Sequence, residues 1–213
     1  GAGKRSDRKV DQVRLSYMMG TWGIMLGLED PRDRFEPGID GNKNASGDYP
    51  DIVLALTGGL GGVDLKVFGA IHDTADGDTG WGVGASATVD LGAAAKLRFG
   101  GSYSDNAKTY ADGTSCSYAD GSPVCDDGKW WSAMVSGQVA LSSNLAAAAS
   151  ASWLTGDGGA SYAQTNSMEA AFGIYYYPSG NSEIGLEALY TDPDTGTSGD
   201  DGWGIHGRLK THY

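Results

Sequence analysis

Alternation is the feature that most constrains this chain: along most of its length apolar residues take every second position, with small or polar residues between them. A period of two places the two sets on opposite faces of an extended strand. Eleven stretches carry the pattern, approximately 9–17, 22–29, 51–57, 62–72, 81–89, 94–103, 131–141, 145–153, 167–177, 183–190 and 203–213. Gly, Asp, Asn, Ser and Pro punctuate them, as strand-bounding turns require. With 35 glycines in 213 residues, a mainly helical protein is excluded.

The connections add topology to the strands. Short turns are expected at 18–21, 58–61, 90–93, 142–144 and 178–182, and long loops at 30–50, 73–80, 104–130, 154–166 and 191–202. A short, long, short, long rhythm puts all turns on one rim of a meander and all loops on the other. The expected fold is therefore all-β, an antiparallel up-and-down β-barrel.

Which face is dry decides between a soluble barrel and one that spans a membrane. One face carries Val13, Leu15, Ile24, Leu26, Leu54, Val67, Phe99, Phe172, Leu186 and Ile205. The other carries Arg14, Asp64, Lys66, Lys96, Arg98, Gln138, Glu169, Glu183, Glu187, His206, Arg208 and Lys210. Such a charged interior cannot close-pack and needs water. Rings gather at strand ends on the apolar face: Trp81, Trp131, Trp153, Tyr190 and Trp203 beside long loops, and Tyr17, Trp22, Tyr176 and Tyr213 beside short turns or the terminus. Two belts at opposite strand ends suit two membrane interfaces, although strand-end rings also occur in other β proteins.

Several classes fall away. No pure apolar run exceeds five residues, the length of Leu145 to Ala149, so no transmembrane helix is expected. Lys4, Arg5, Arg8 and Lys9 have a leader's charge, but no apolar segment follows them. A formal charge of −12, with 27 acids against 15 bases, argues against nucleic acid as a partner. The six Trp, eleven Tyr and four Phe argue against disorder.

Enzyme signatures also fail, and no cofactor or metal is expected. His72, His206 and His212 lack metalloprotease spacing and have no nucleophile partner. The 82–87 segment fits a dinucleotide fingerprint only formally, because it lies inside an alternating stretch rather than before a helix. Acidic loops at Asp73, Asp76, Asp78 and at Asp192, Asp194, Asp200, Asp201 miss the EF-hand spacing. Cys116 and Cys125, in the longest polar loop, read first as one disulfide that would stiffen a loop over the barrel mouth.

The run from Tyr49-Pro-Asp-Ile-Val-Leu-Ala-Leu through Gly-Gly-Val-Asp-Leu-Lys-Val-Phe-Gly-Ala resembles a central hairpin of the general outer-membrane porins of alphaproteobacteria, of the rhizobial and brucella type. Residues 81–103 resemble the hairpin that follows, and Trp203-Gly-Ile-His-Gly-Arg-Leu-Lys-Thr-His-Tyr213 is similar to the last strand. The resemblance implies a sixteen-stranded, homotrimeric barrel in outer-membrane lipid that passes small hydrophilic solutes and ions. An odd count of eleven stretches then makes residues 1–213 a single barrel domain corresponding to the C-terminal two thirds, with about five strands ahead of Lys9. The constricting loop would lie in or just before residues 1–8.

On this reading Arg14, Lys66, Lys96, Arg98, Arg208 and Lys210 form a basic wall facing Asp64, Glu169, Glu183 and Glu187. The other reading makes them ordinary wet-face residues with cross-strand partners, such as Glu183 with Lys210 when Tyr190 faces Trp203. The rival to a channel is an exported β-sandwich or lectin-like binding module whose apolar face packs inward.

Overall fold

The structure is a computed structural model that describes residues 11–30, 49–73, 79–107, 109–112, 117–119, 122–124, 128–157, 165–179, 182–194 and 202–211. Eleven long strands form one sheet: β1 (Gln12–Met19), β2 (Trp22–Glu29), β3 (Asp51–Leu60), β4 (Val63–Asp73), β5 (Thr79–Asp90), β6 (Ala95–Asp105), β9 (Lys129–Ser142), β10 (Leu145–Asp157), β11 (Thr165–Ser179), β12 (Ser182–Asp194) and β13 (Gly202–Thr211). Neighbours in this order pair antiparallel, with β1 and β13 at the two edges, so the wiring is purely up and down. Among the described residues, the connection between β6 and β9 holds a four-residue helix α1 (Thr109–Asp112) and a small hairpin of β7 (Ser117–Ala119) and β8 (Ser122–Val124). Alternation did not announce that hairpin, which is too short to show a period.

The strands coincide with the eleven alternating stretches, but several are longer. The clearest correction concerns the turn expected at 58–61. Gly58, Gly59 and Leu60 continue β3, and the chain reverses at Gly61 and Gly62, with φ of 59° and 85°. A type I′ two-residue loop, one of the two kinds that follow the sheet twist, needs left-handed backbone at both positions, which glycine adopts without steric cost. The run Gly58-Gly-Leu-Gly-Gly offers four glycines, and the sequence does not say which pair bends.

Register separates the two faces in every strand. Tyr17 opposes Ile24, Leu15 opposes Leu26, Leu26 opposes Leu54, and Leu54 opposes Gly69 on the apolar face. That face is open: Leu15 is 71% exposed, Leu54 50%, Phe99 49% and Leu186 61%. The sandwich alternative required these side chains to be buried under a second large sheet, and among the described residues the only other sheet is the β7–β8 hairpin.

Glycines have a packing role here. Trp22 opposes Gly58, Phe68 opposes Gly84 and Trp130 opposes Gly156, and in each pair the ring lies over the glycine so closely that a Cβ there would fall 2.2–2.4 Å from a ring atom. A large ring and a missing side chain thus share one site across two strands. Trp130 becomes 98% buried in this way, being only 2% exposed.

Candidate channel wall and the segment folded against it

All the charged positions anticipated for the wet face fall on one side of the sheet. Thr57, Lys66, Ser86, Gly100, Met134, Ser152 and Glu169 oppose one another in sequence across β3 to β11. The Asp64, Thr88, Arg98, Ser136 row lies beside it, and Lys96, Gln138, Ala148, Gly173, Glu187 and His206 form the next. Arg14 opposes Gly27 on β2, and Arg208 and Lys210 oppose Gly185 and Glu183.

The arrangement differs from two opposed walls of unlike sign. Asp64 sits two residues from Lys66 on the same face of β4, and Lys96 Nζ reaches Asp90 Oδ1 at 3.1 Å. Glu183 and Lys210 are register partners, and Tyr190 does face Trp203, at a ring separation of 4.9 Å. The ion pair of Glu183, however, is diagonal, with Arg208 Nε at 3.0 Å from its Oε1. Arg208 opposes Gly185, which has no side chain, so the guanidinium lies between Glu183 and Glu187, with Nη1 3.7 Å from Glu187 Oε1. Acids and bases are interleaved on one wall because neighbours two residues apart on a strand, or diagonal across a pair, are what a pleated surface brings together.

Tyr175 completes this cluster and was not among the residues anticipated. Its ring lies over Gly173 and Gly185, and its hydroxyl donates to Glu187 Oε1 at 2.6 Å. Alternation through Tyr175-Tyr176-Tyr177 would have found it, since Tyr176 belongs to the apolar face and its neighbours therefore do not.

A second polar cluster sits at the loop-side end of the same face. Asp51 is fully buried; His72 Nδ1 lies 2.7 Å from its Oδ1, and the Tyr110 hydroxyl donates to its Oδ2 at 2.6 Å. Tyr110 belongs to α1, so the chain after β6 turns back onto the wet face instead of leaving the rim. Ala107 and Tyr110 pack there with Val53 and Ala70, and α1 rests on β5, β6 and β9. The Ser102 and Ser132 hydroxyls lie 2.7 Å from each other and from the Ala111 carbonyl oxygen, which accepts a hydrogen bond. Asn106, at φ 51°, starts the reversal, and its Oδ1 accepts from Gly128 N at 3.0 Å. A buried carboxylate is tolerable when donors surround it, and here the donors tie three separated segments together.

No alternation or motif in residues 106–112 marks this inward segment. The region expected to hold a constricting loop, residues 1–8, lies outside the described residues, as do Cys116, Cys125 and Tyr213. The rest of the aromatic set lies on the apolar face: Tyr17 is 66% exposed and Trp203 79%, whereas Trp22 and Tyr190 are half-buried against neighbours.

Against known proteins, a family profile described as "Porin subfamily" matches residues 2–210. The chain belongs to this porin subfamily. None of the curated proteins compared matches it in sequence. Among solved structures, this porin chain is similar to the outer membrane channel DcaP of Acinetobacter baumannii, with 17% identity and a TM-score of 0.74, over 95% of this chain and 62% of that one. It is similar to a porin refined at 1.8 Å, with 12% identity and a TM-score of 0.64, over 93% of this chain and 60% of the other. The trimer form of OmpT, an outer membrane protein of Vibrio cholerae, gives 11% identity and a TM-score of 0.58, over 93% of this chain and 64% of OmpT. At these identities the likeness concerns the fold. The porin chain spans about three fifths of the length of these structures.

Proposed function

We propose that this porin chain forms part of the wall of a water-filled channel in a Gram-negative outer membrane, through which small hydrophilic solutes and ions diffuse passively. The observation that carries the reading is the division of the sheet into two faces. Apolar side chains stand exposed on one, which suits lipid, while Arg98, Lys66, Glu187 and His206 stand on the other, which suits water. Strands can occupy the bilayer because their backbone groups are paired along the ladder, and closure of the sheet removes the two remaining edges. Supporting the oligomeric and cellular parts of the proposal, relatives in fold include an outer membrane channel and a protein solved in a trimer form. The chain is read as one barrel domain within a longer, sixteen-stranded protomer, and no enzymatic role is assigned.

In this proposal Arg14, Asp64, Lys66, Lys96, Arg98, Glu169, Glu183, Glu187, His206, Arg208 and Lys210 line the pore, and the exposed rings make the two interfacial belts. Ala107 and Tyr110, packed on the wet face, narrow the loop-side half. A disulfide between Cys116 and Cys125 would stiffen the connection that carries it. Liposome swelling tests the reading: vesicles containing the intact protein should swell in isotonic monosaccharide and progressively more slowly in larger saccharides. Equal rates with and without protein would refute it.

A further inference from the structure

We infer that the groove crossing the wet faces of β6 to β13 is a binding subsite for small hydroxylated organic monoanions, with Arg98 receiving the charge. This rests on the channel reading and adds a solute class to it. The groove encloses about 140 Å³ and is lined by Arg98, Gln138, Ser150, Tyr177, Glu183 and Arg208, among others.

Charge selects the class. Lys96 at one end is paired with Asp90, and Arg208 at the other lies between two carboxylates, Glu183 and Glu187. Arg98 makes no ion pair among the described residues and is exposed to the groove. One uncompensated guanidinium offers a forked donor to one carboxylate. A second negative charge on the same solute would extend toward Glu183 and Glu187, where like charge repels it.

The remaining lining selects the body of the solute. Ser136 and Gln138 present groups that both donate and accept, the complement of a solute's hydroxyls. Ala148 and Ala171 form part of the floor, and their small side chains keep the space open. An apolar anion would make no use of Ser136 and Gln138, and a neutral polyol would leave Arg98 unused.

Glucose, gluconate and glucarate share a six-carbon hydroxylated chain and differ by one charge at each step, so they serve as probes. With the intact protein in planar bilayers, gluconate should interrupt the KCl current in a concentration-dependent way, glucose should not, and glucarate should do so no better than gluconate. Arg98→Gln should weaken the gluconate effect about tenfold, the low end for a hydrogen bond to a charged group at an exposed site. Arg98→Lys, which keeps the charge without the fork, should fall between the two. A wild type that conducts KCl while gluconate has no effect, or an Arg98→Gln variant indistinguishable from wild type, overturns the subsite and leaves the channel standing. Protein that folds in vesicles yet carries no KCl current overturns the channel reading and the subsite together.

Discussion

The pairing of rings with glycines makes Gly156→Ala a sharper test of this fold than any charge change. A Cβ at Gly156 would stand 2.2 Å from Trp130 Cε3 and 2.4 Å from Cδ2, more than an ångström short of ordinary contact. Trp130 is 2% exposed, so its ring has no solvent to move into. Overpacking of this kind costs about 1–3 kcal/mol. Gly27, on β2, is the matched control: the nearest atoms to a Cβ there are Val53 O at 3.8 Å and Val53 Cβ at 3.9 Å, an ordinary contact. Replacing an unstrained glycine by alanine stabilises by about 0.4–1 kcal/mol through the unfolded chain. The two variants should therefore lie on opposite sides of wild type and separate by about 1.4–4 kcal/mol. Urea unfolding of the protein in phospholipid vesicles, followed by tryptophan emission, measures this. Gly156→Ala within 0.5 kcal/mol of Gly27→Ala would mean that Trp130 does not lie over Gly156.

Tyr110→Phe removes the 2.6 Å donor to Asp51 Oδ2 and should raise hydrogen exchange at Tyr110 and Ala111 and the noise of the open-channel current; unchanged exchange would show that the inward segment is held without this contact. Lys66→Gln, Lys96→Gln and Arg98→Gln together should move the reversal potential in a KCl gradient toward cation preference, and the shift should shrink at 1 M salt, where screening acts over about 3 Å. An unshifted potential would make these bases scaffold. Thiol labelling of the unreduced, denatured protein should find no free thiol at Cys116 or Cys125, and two labelled cysteines would remove the proposed staple.

The eleven strands could be read from sequence because alternation is a local property: each stretch such as Val63-Asp-Leu-Lys-Val records in its own residues which face meets which solvent. The same period placed Arg98 and Glu187 on one face before any register was known. What it could not give was which charges meet. Arg208 bonds diagonally past Gly185 to Glu183 and Glu187, a choice made by side-chain reach and by the absence of a Cβ opposite, and not by pairing order. The Asp51, His72 and Tyr110 cluster was illegible for a different reason. Tyr110 is 59 residues from Asp51 in a loop of no periodicity, and only the inward path of the chain after Asn106 brings them into contact. Tyr175 was legible in principle, from the alternation through its flanking tyrosines.

Single-channel recording of the purified intact protein in planar bilayers decides whether one face of this sheet meets lipid and the other water in a conducting pore. Stepwise conductance in KCl is expected, requiring detergent-extracted, folded protein and lost on heat denaturation. Protein that remains soluble without detergent and adds no conductance steps to the bilayer would contradict it.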